Sequence, residues 1–304
     1  MIVIDGLTKR YGDTTAVDGL TFTVRPGRVT GLLGPTGAGK SATMRLILGL
    51  DRADAGTVTV NGRPYADAPR PMREVGALLD ARAVHPRRTA RDHLRWLARS
   101  NGVPAARVDE VLWTAGLASV ARRRAGTFSL GMCRRLGVAA ALLGDPGVLL
   151  LDEPVNGLDA EGAKWIRELM RDLAAQGRTV LVSSRLMSEM AQTADHLVVI
   201  ARGRLIADAG MDEFAEGEAG IVVRADLPAL LADRLRTVGG TCRPGPDGAL
   251  IVTGVEPREI GEAALTTGVV LSELTPRRAS LEQAYLDLTR DTLEFHAGSG
   301  KDAG

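Results

Sequence analysis

A glycine-rich loop between an apolar run and a helical pattern constrains this chain more than any other feature. Residues 29–33 form an apolar run typical of a short buried strand. The next eight residues fit the pattern G-x-x-x-x-G-K-[ST], and an apolar helical pattern follows until Gly49. Glycines let the backbone wrap tightly, so several N–H groups and a helix N-terminus converge on one anion. The sequence therefore predicts a nucleoside triphosphate site.

Two side chains of this loop have predicted roles at the triphosphate. Lys40 would reach the outer phosphates, and the hydroxyl of Ser41 would ligate Mg²⁺. The alternative is a chance glycine-rich turn, and the strand before the loop and the helix after it argue against that alternative.

The composition is typical of a globular protein, and the length is sufficient for two domains. Of 304 residues, 45% are hydrophobic and 25% charged. The formal net charge of +1 gives no electrostatic case for nucleic acid or anionic membrane as a partner. Cys133 and Cys242 form no metal-binding spacing, and a reducing cytosol is the simplest setting. With no signal-peptide pattern and no membrane-length apolar run, we expect a soluble chain that reaches a membrane only through a partner.

An acidic pair follows a second strongly apolar run. Residues 148–151 are apolar and lead into Asp152 and Glu153. Such a run suits a strand buried on both faces of a parallel sheet, and ligand sites form at the carboxyl ends of these strands. Asp152 would hold Mg²⁺ directly or through water, and Glu153 would polarise the attacking water. A plain acidic pair in a loop is the alternative.

Other candidate residues carry weaker signals when taken alone. Ser129 is a good N-cap for a helix predicted over 133–143 and, with Gly131, leaves amides available to an anion, although a plain capped helix is the commoner interpretation. Tyr11 would stack on adenine, although alone it is more typical of a half-buried turn residue. Arg185 follows a predicted strand at 179–182, where a surface arginine is the alternative.

The predicted elements divide the chain into two domains and a tail. Residues 1–216 form the first domain, with a helical part at about 81–145. A loosely composed stretch at 213–220 is the predicted linker. Residues 217–290 show the order βαββαβ, followed by a helix at 281–289, which is typical of a ferredoxin-like sandwich. With no catalytic cluster in it, a dimerisation or regulatory role is favoured over ligand binding. Residues 291–304 are predicted to be a flexible tail.

Several of these motifs, together with others, follow one another along the chain in a recognisable order. The set consists of Tyr11, the loop Gly34-Pro35-Thr36-Gly37-Ala38-Gly39-Lys40-Ser41, Asp80, Ser129-Leu130-Gly131-Met132, Leu151-Asp152-Glu153-Pro154, Gly157-Leu158-Asp159 and Ser183-Ser184-Arg185. Over about residues 2–216 this set resembles the nucleotide-binding subunit of an ATP-binding cassette (ABC) transporter. The resemblance implies an α/β fold: a P-loop NTPase core with a mainly parallel sheet, an antiparallel β subdomain and a helical signature subdomain, beside the small α+β C-terminal domain. More weakly, Ser280-Leu281-Glu282-Gln283-Ala284-Tyr285 looks like the accessory domain of the antibiotic- and drug-exporter branch.

The resemblance also implies a mechanism. Two copies would form a homodimer that sandwiches two ATP molecules, each between the phosphate loop of one copy and the signature segment of the other. ATP would contact Tyr11, Val17, Gly34, Pro35, Thr36, Gly37, Ala38, Gly39, Lys40, Ser41 and Ala42, and in trans Ser129, Leu130, Gly131, Met132 and Asp159. Mg²⁺ would be held by Ser41, Asp80 and Asp152, with Glu153 and Arg185 as catalytic residues. Closure and opening would drive a separate integral membrane permease for drug, antibiotic or peptide efflux, contacted by the segment after Asp80. The chain would then be peripheral, at the cytoplasmic face of a bacterial cell membrane, without a nucleic-acid partner.

Several positions depart from the family pattern. Asp80 stands where glutamine is usual, Ala42 where threonine is usual, Leu130-Gly131-Met132 where Gly-Gly-Gln is usual, and Cys133-Arg134 where Arg-Gln is common. Arg185 stands where histidine is usual. Histidine donates one hydrogen bond while accepting another and titrates near neutral pH, whereas arginine only donates and stays charged. Arg185 would clamp a γ-phosphate but cannot pass a proton, so we expect slow hydrolysis with Glu153 as the base.

Three functions compete at this stage. Glu153 favours a motor ATPase for an exporter, and Arg185 favours a degenerate or regulatory cassette that binds ATP and dimerises but hydrolyses it slowly. The third is a soluble cassette ATPase acting on ribosomes or DNA. Such proteins resemble fused double cassettes or carry long coiled-coil insertions, and this chain has one cassette, no heptad run and near-neutral charge.

Overall fold

The structure is a computed structural model that describes residues 1–216 and 220–277. The chain divides into two compact units. Met1–Gly210 forms the first, and the described residues of the second are 211–216 and 220–277.

The first unit contains strands and helices in alternation. Its strands are β1 (Ile2–Tyr11), β2 (Thr14–Val24), β3 (Val29–Leu33), β4 (Ala55–Val60), β5 (Val75–Leu78), β6 (Val148–Leu151), β7 (Thr179–Ser184), β8 (His196–Ala201) and β9 (Arg204–Gly210). Its α-helices are α1 (Lys40–Ile47), α2 (Pro71–Glu74), α3 (Ala90–Ser100), α4 (Ala106–Thr114), α5 (Leu130–Leu142), α6 (Ala160–Ala175) and α7 (Met187–Ala191).

The larger sheet of this unit brings the predicted site together. Its strand order is β5-β6-β7-β3-β8-β9, with parallel pairing throughout except that β9 runs antiparallel to β8. Every residue of β3, β6 and β7 is buried, as expected for apolar strands covered on both faces. The strands predicted at 29–33 and 148–151 are therefore confirmed. Because β3, β6 and β7 are parallel neighbours, their carboxyl ends meet at one edge of the sheet.

A smaller antiparallel sheet, with the order β2-β1-β4, completes the core. Strands β1 and β2 pair as a long ribbon, because β1 runs on to Tyr11 and β2 begins at Thr14. Register shifts along the β1–β2 pair accommodate irregular pairing in this longer ribbon. The buried side chains of Ile2, Leu20 and Leu32 lie in one hydrophobic core shared by the two sheets.

Helices α3, α4 and α5 form the predicted helical part. The Thr89 hydroxyl caps α3 by accepting the N–H of Asp92 at 3.1 Å, as the spacing of these residues predicts. Helix α5 begins at Leu130, three residues before the predicted start, with Ser129 as its N-cap. Helix α5 packs closely against β5 because residue 137 is glycine. A Cβ at this position would lie 2.5 Å from Leu78 Cδ1.

The second unit has the predicted ferredoxin-like order of elements. They are α8 (Met211–Glu216), β10 (Gly220–Ala225), α9 (Pro228–Thr237), β11 (Thr241–Pro244), β12 (Leu250–Thr253), α10 (Pro257–Thr267) and β13 (Leu271–Arg277). The antiparallel sheet has the order β11-β12-β10-β13, and its buried face packs into a separate core. Residues 213–216, predicted as the start of a linker, belong instead to helix α8. The predicted helix at 281–289, the motif at 280–285 and the tail at 291–304 lie outside the described residues.

Candidate functional site

The loop after β3 turns back on itself through glycines with positive φ. Gly37 has a φ of +81° and Gly39 a φ of +103°, values that L side chains rarely adopt. A Cβ on Gly39 would lie 2.2 Å from the carbonyl oxygen of Ala16, so glycine is required there. Helix α1 starts at the next residue without a side-chain cap, which leaves its first-turn amides available to an anion.

The Lys40 side chain lies inside this loop. It is 6% exposed, and its Nζ donates to the carbonyl oxygens of Gly34 at 2.7 Å and Pro35 at 3.0 Å. Burial lowers the pKa of Lys40, while the nearby carboxylates of Glu153 and Asp152 act in the opposite direction. A cation buried beside two acids at a ring of backbone amides is suited to binding phosphate oxygens.

Asp152, at the end of β6, is held by two hydroxyl groups. Ser41 Oγ donates to Asp152 Oδ2 at 2.6 Å, and Ser183 Oγ donates to Asp152 Oδ1. The carboxylate and the Ser41 hydroxyl are hard oxygen donors in contact with each other, which fits Mg²⁺. Within residues 1–216 and 220–277 there is no cluster of three or more His, Cys, Asp or Glu residues suited to a metal. A magnesium ion here would therefore share these few protein ligands with phosphate oxygens.

Glu153 takes an unusual backbone conformation at the start of the loop after β6. Its φ is +44°, in the left-handed region. The Glu153 N–H donates to Ser183 Oγ at 2.9 Å, and Asn156 Nδ2 donates to Glu153 Oε2 at 3.3 Å. The first contact fixes the Glu153 backbone at the end of β7, and the second ties its carboxylate to the loop after β6.

Asp80 and Arg185 lie at the same edge of the sheet. The Asp80 carboxylate accepts the N–H of Arg82 at 2.8 Å, so it caps the loop that follows β5. Arg185 follows β7, is exposed, and contributes to lowering the pKa of Lys40, which indicates that its charge acts on the loop. The magnesium role of Asp80 and the phosphate role of Arg185 stay predictions.

The predicted adenine-stacking residue is exposed and oriented by an acid. Tyr11 ends β1, is 45% exposed, and donates its hydroxyl to the Asp51 carboxylate. Arg45 also donates to Asp51, at 2.7 and 3.0 Å, and together these contacts lower the pKa of Asp51 to about 2. Val17, by contrast, is fully buried in the core, so its side chain offers no surface to a nucleotide as the chain stands.

The residues predicted to act in trans lie together at the starts of α5 and α6. Ser129 Oγ accepts the N–H of Met132 at 3.2 Å, and Asp159 Oδ1 accepts the N–H of Gly162 at 2.8 Å. The side chain of Leu130 lies against Gly157, where a Cβ would come within 2.4 Å of Leu130 Cδ2. Leu130 is 39% exposed. These two segments therefore form one exposed surface within the chain.

Two contacts at the candidate site have no counterpart in the sequence patterns. Asp51 fixes the Tyr11 hydroxyl, and Arg134 Nη1 donates to the backbone carbonyl oxygen of Glu153. Each contact joins residues that lie far apart in the sequence, so no short-range sequence pattern predicts it. Ser183, noted only as part of a motif, is the hydroxyl that touches both acids.

The described part of the chain has no helix long and apolar enough to cross a membrane. A family model described as ABC transporter matches residues 17–156, and another, described as a domain of unknown function, matches residues 219–282. The Nod factor export ATP-binding protein I of Ralstonia nicotianae is 37% identical over 306 residues, which cover 95% of this chain and 94% of the relative. The daunorubicin resistance ATP-binding protein DrrA3 of Streptomyces coeruleorubidus is 35% identical, with 95% of this chain and 96% of the relative covered.

Solved structures agree with the fold. An ATP-binding subunit of an ABC transporter has a TM-score of 0.65 at 26% identity, covering 71% of this chain and 92% of that one. The dimeric, post-hydrolysis ATP-binding cassette MJ0796 bound to ADP and Pi has a TM-score of 0.63 at 21% identity, covering 69% of this chain and 99% of that one. The second likeness concerns the fold alone.

Proposed function

Because this chain belongs to the ABC transporter family, as an ATP-binding and ATP-hydrolysing subunit, we propose that it powers a separate membrane permease that exports a drug, an antibiotic or a peptide. The names of relatives, which refer to Nod factor export and daunorubicin resistance, support an exporter. The observation that carries the proposal is the meeting of Lys40, Asp152 and Glu153 at one edge of the sheet. The chain would be peripheral, held by its permease at the cytoplasmic face of a bacterial cell membrane.

In the proposed reaction, the glycine-rich loop binds the phosphates of ATP, Asp152 helps to hold Mg²⁺, and Glu153 activates the attacking water. The glycine-loop amides and the Lys40 ammonium would cradle the β- and γ-phosphates of ATP. Ser41 and Asp152 would hold Mg²⁺, which when bound offsets charge on the phosphate oxygens. Glu153 would accept a proton from the water that attacks the γ-phosphate, and Arg185 would stabilise the charge that develops there.

The site would be completed by a second copy of this chain. Ser129, Gly131 and Asp159 lie on one exposed surface, at the N-termini of α5 and α6. A helix N-terminus favours an anion, so this surface suits the far side of a bound triphosphate. We therefore propose an ATP-dependent homodimer whose closing and opening moves the permease.

The purified full chain tests this proposal. We expect Mg²⁺-dependent affinity for ATP, and we expect Glu153→Gln to accumulate as an ATP-bound dimer in size-exclusion chromatography. Glu168→Gln is the matched control, because Glu168 pairs with Lys164 on the exposed face of α6 and should leave the parental behaviour unchanged. A chain that binds no ATP with Mg²⁺, or that stays monomeric at saturating ATP, would contradict the proposal.

A regulatory cassette that hydrolyses ATP slowly is the second candidate, and Arg185 favours it. Arginine cannot accept a hydrogen bond from water or pass on a proton. If this limits turnover, Arg185→His should raise the steady-state ATPase rate of the purified dimer by about tenfold. Arg171→His is the control, since Arg171 contacts the Gln192 carbonyl oxygen away from the site. An unchanged rate in Arg185→His would show that the arginine is not the limitation.

A further inference from the structure

Arg134 reaches from helix α5 to the edge of the sheet where Glu153 follows β6. It lies on α5, one turn after Leu130, and its Nη1 donates to the backbone carbonyl oxygen of Glu153. The side chain is half-buried, and its Nε is buried without a hydrogen-bond partner in the described part of the chain. A charged group in this setting is held in one place beside the proposed base.

The contact falls on a residue with an unfavourable backbone conformation. Glu153 has a φ of +44°, in the left-handed region, which costs an L residue conformational energy that its contacts must offset. Ser183 Oγ accepts its N–H at 2.9 Å, and Asn156 N–H donates to its carbonyl oxygen at 3.2 Å. Arg134 adds a charged donor to the same carbonyl, and charge-assisted hydrogen bonds are the stronger kind.

The charges of several carboxylates, that of Glu189 among them, act on the guanidinium. Burial lowers the pKa of Arg134, and the carboxylates of Glu153, Asp152 and Asp80 oppose that effect. Asp80 brings a negative charge to this edge that glutamine would not bring. Arg134 therefore supplies positive charge that acts on the three acids of the proposed site, from a position fixed by its contact with the Glu153 carbonyl oxygen.

We propose that Arg134 is a positioning residue for ATP hydrolysis. It holds the Glu153 backbone in its left-handed conformation, so that the carboxylate faces the attacking water, and it offsets the charge of Asp80 and Asp152. The inference rests on Glu153 as the base in the proposed function, and it is independent of the export role.

Steady-state hydrolysis and ATP binding, measured separately on the full chain, test the inference. Arg134→Leu should lower kcat about tenfold or more while changing the Kd for ATP by less than about twofold. Arg134→Lys should recover part of kcat, because lysine keeps the charge but not the planar fork. Arg135→Leu is the matched control: Arg135 donates to the Ala115 carbonyl oxygen at 3.2 Å and stacks on Trp165 at 4.4 Å, so its loss should lower the melting temperature and leave kcat near the parental value.

Several results would overturn the inference. One is a kcat for Arg134→Leu within about twofold of the parental value. Another is a decrease in kcat no larger than that of Arg135→Leu. A third is a loss of ATP affinity as large as the loss of kcat. If Arg134→Leu does not fold, Arg134→Lys decides alone: a lower kcat at unchanged Kd supports positioning, and an unchanged kcat overturns it. Failure of the proposed function looks different, because Glu153→Gln would then keep the parental kcat.

Discussion

Replacing Ser183 with alanine removes a hydroxyl that contacts both acids of the site, the carboxylate of Asp152 and the backbone N–H of Glu153. Ser183 is fully buried, its Oγ donates to Asp152 Oδ1, and it accepts the N–H of Glu153 at 2.9 Å. The Ser183→Ala variant would leave the Glu153 N–H without this acceptor and Asp152 with one donor fewer.

The expected magnitude follows from these two contacts. An unmet buried N–H costs about 1–3 kcal/mol, and a hydrogen bond to a charged group contributes about 1.5–3 kcal/mol. Asp152 is only half-buried and keeps the Ser41 donor at 2.6 Å, so the second contribution is discounted. We expect the free energy of unfolding to fall by about 2–3 kcal/mol. If about 1–2 kcal/mol of this stabilisation is lost from the transition state and not from the ATP-bound state, kcat falls roughly 5- to 30-fold.

Ser184→Ala separates the loss of stability from the loss of catalysis. Ser184 is 1% exposed and adjacent, but its Oγ accepts the N–H of Leu186 at 2.9 Å and donates to Glu189. Denaturant unfolding should show similar losses of stability in the two variants, while steady-state ATPase assays with Mg²⁺ should show a large loss of kcat only in Ser183→Ala. Equal kcat values in both variants would refute the assigned role of Ser183.

Three further predictions concern the loop, the aromatic residue and a buried histidine. Gly39→Ala should weaken Mg²⁺-ATP binding about tenfold or more, because its Cβ would lie 2.2 Å from the Ala16 carbonyl oxygen at a φ of +103°. Titration with a fluorescent ATP analogue measures this, with Gly147→Ala, where nothing lies within 4 Å, as the control; equal affinities would contradict the prediction. Tyr11→Ala should lower ATP affinity about 5- to 100-fold and Tyr11→Phe should hardly change it, because only the first removes the ring; parental affinity in Tyr11→Ala would exclude stacking. Burial lowers the pKa of His93 from 6.5, so the unfolded state binds the proton first and stability should fall as the pH decreases below 6.5, by up to about 1.4 kcal/mol per pH unit. Denaturant unfolding at pH values of about 7.5 and 5.5 should show this dependence in the parent and a weaker one in His93→Gln, and equal dependences would contradict it.

The sequence predicts those parts of the molecule that depend on local patterns. An apolar run, a glycine loop and a helix share one stretch of chain, so β3, the loop and α1 could be predicted together. The acids after β6 could be placed because the carboxyl ends of parallel strands meet at one edge. The order βαββαβ likewise predicted the ferredoxin-like sheet of the second unit.

Features set by tertiary contacts could not be predicted in this way. Strand β1 continues to Tyr11 because it pairs with β2 up to Thr14, although the alternation of apolar residues in β1 stops earlier. The contact of Arg134 with Glu153 joins a helix to a distant loop, and neither residue signals the other by spacing. The burial of Val17 likewise depends on the whole core, while the sequence around it shows only a turn and a strand.

The fit of Leu130 against Gly157 has a mechanical consequence. A Cβ at position 157 would come within 2.4 Å of Leu130 Cδ2, so glycine at this position lets Leu130 pack directly against the loop before α6. A tilt of the helical part would therefore carry the Asp159 end of that loop along with it. In an assembled pair of cassettes, the two surfaces that we propose to face the neighbouring triphosphate would then engage or withdraw together.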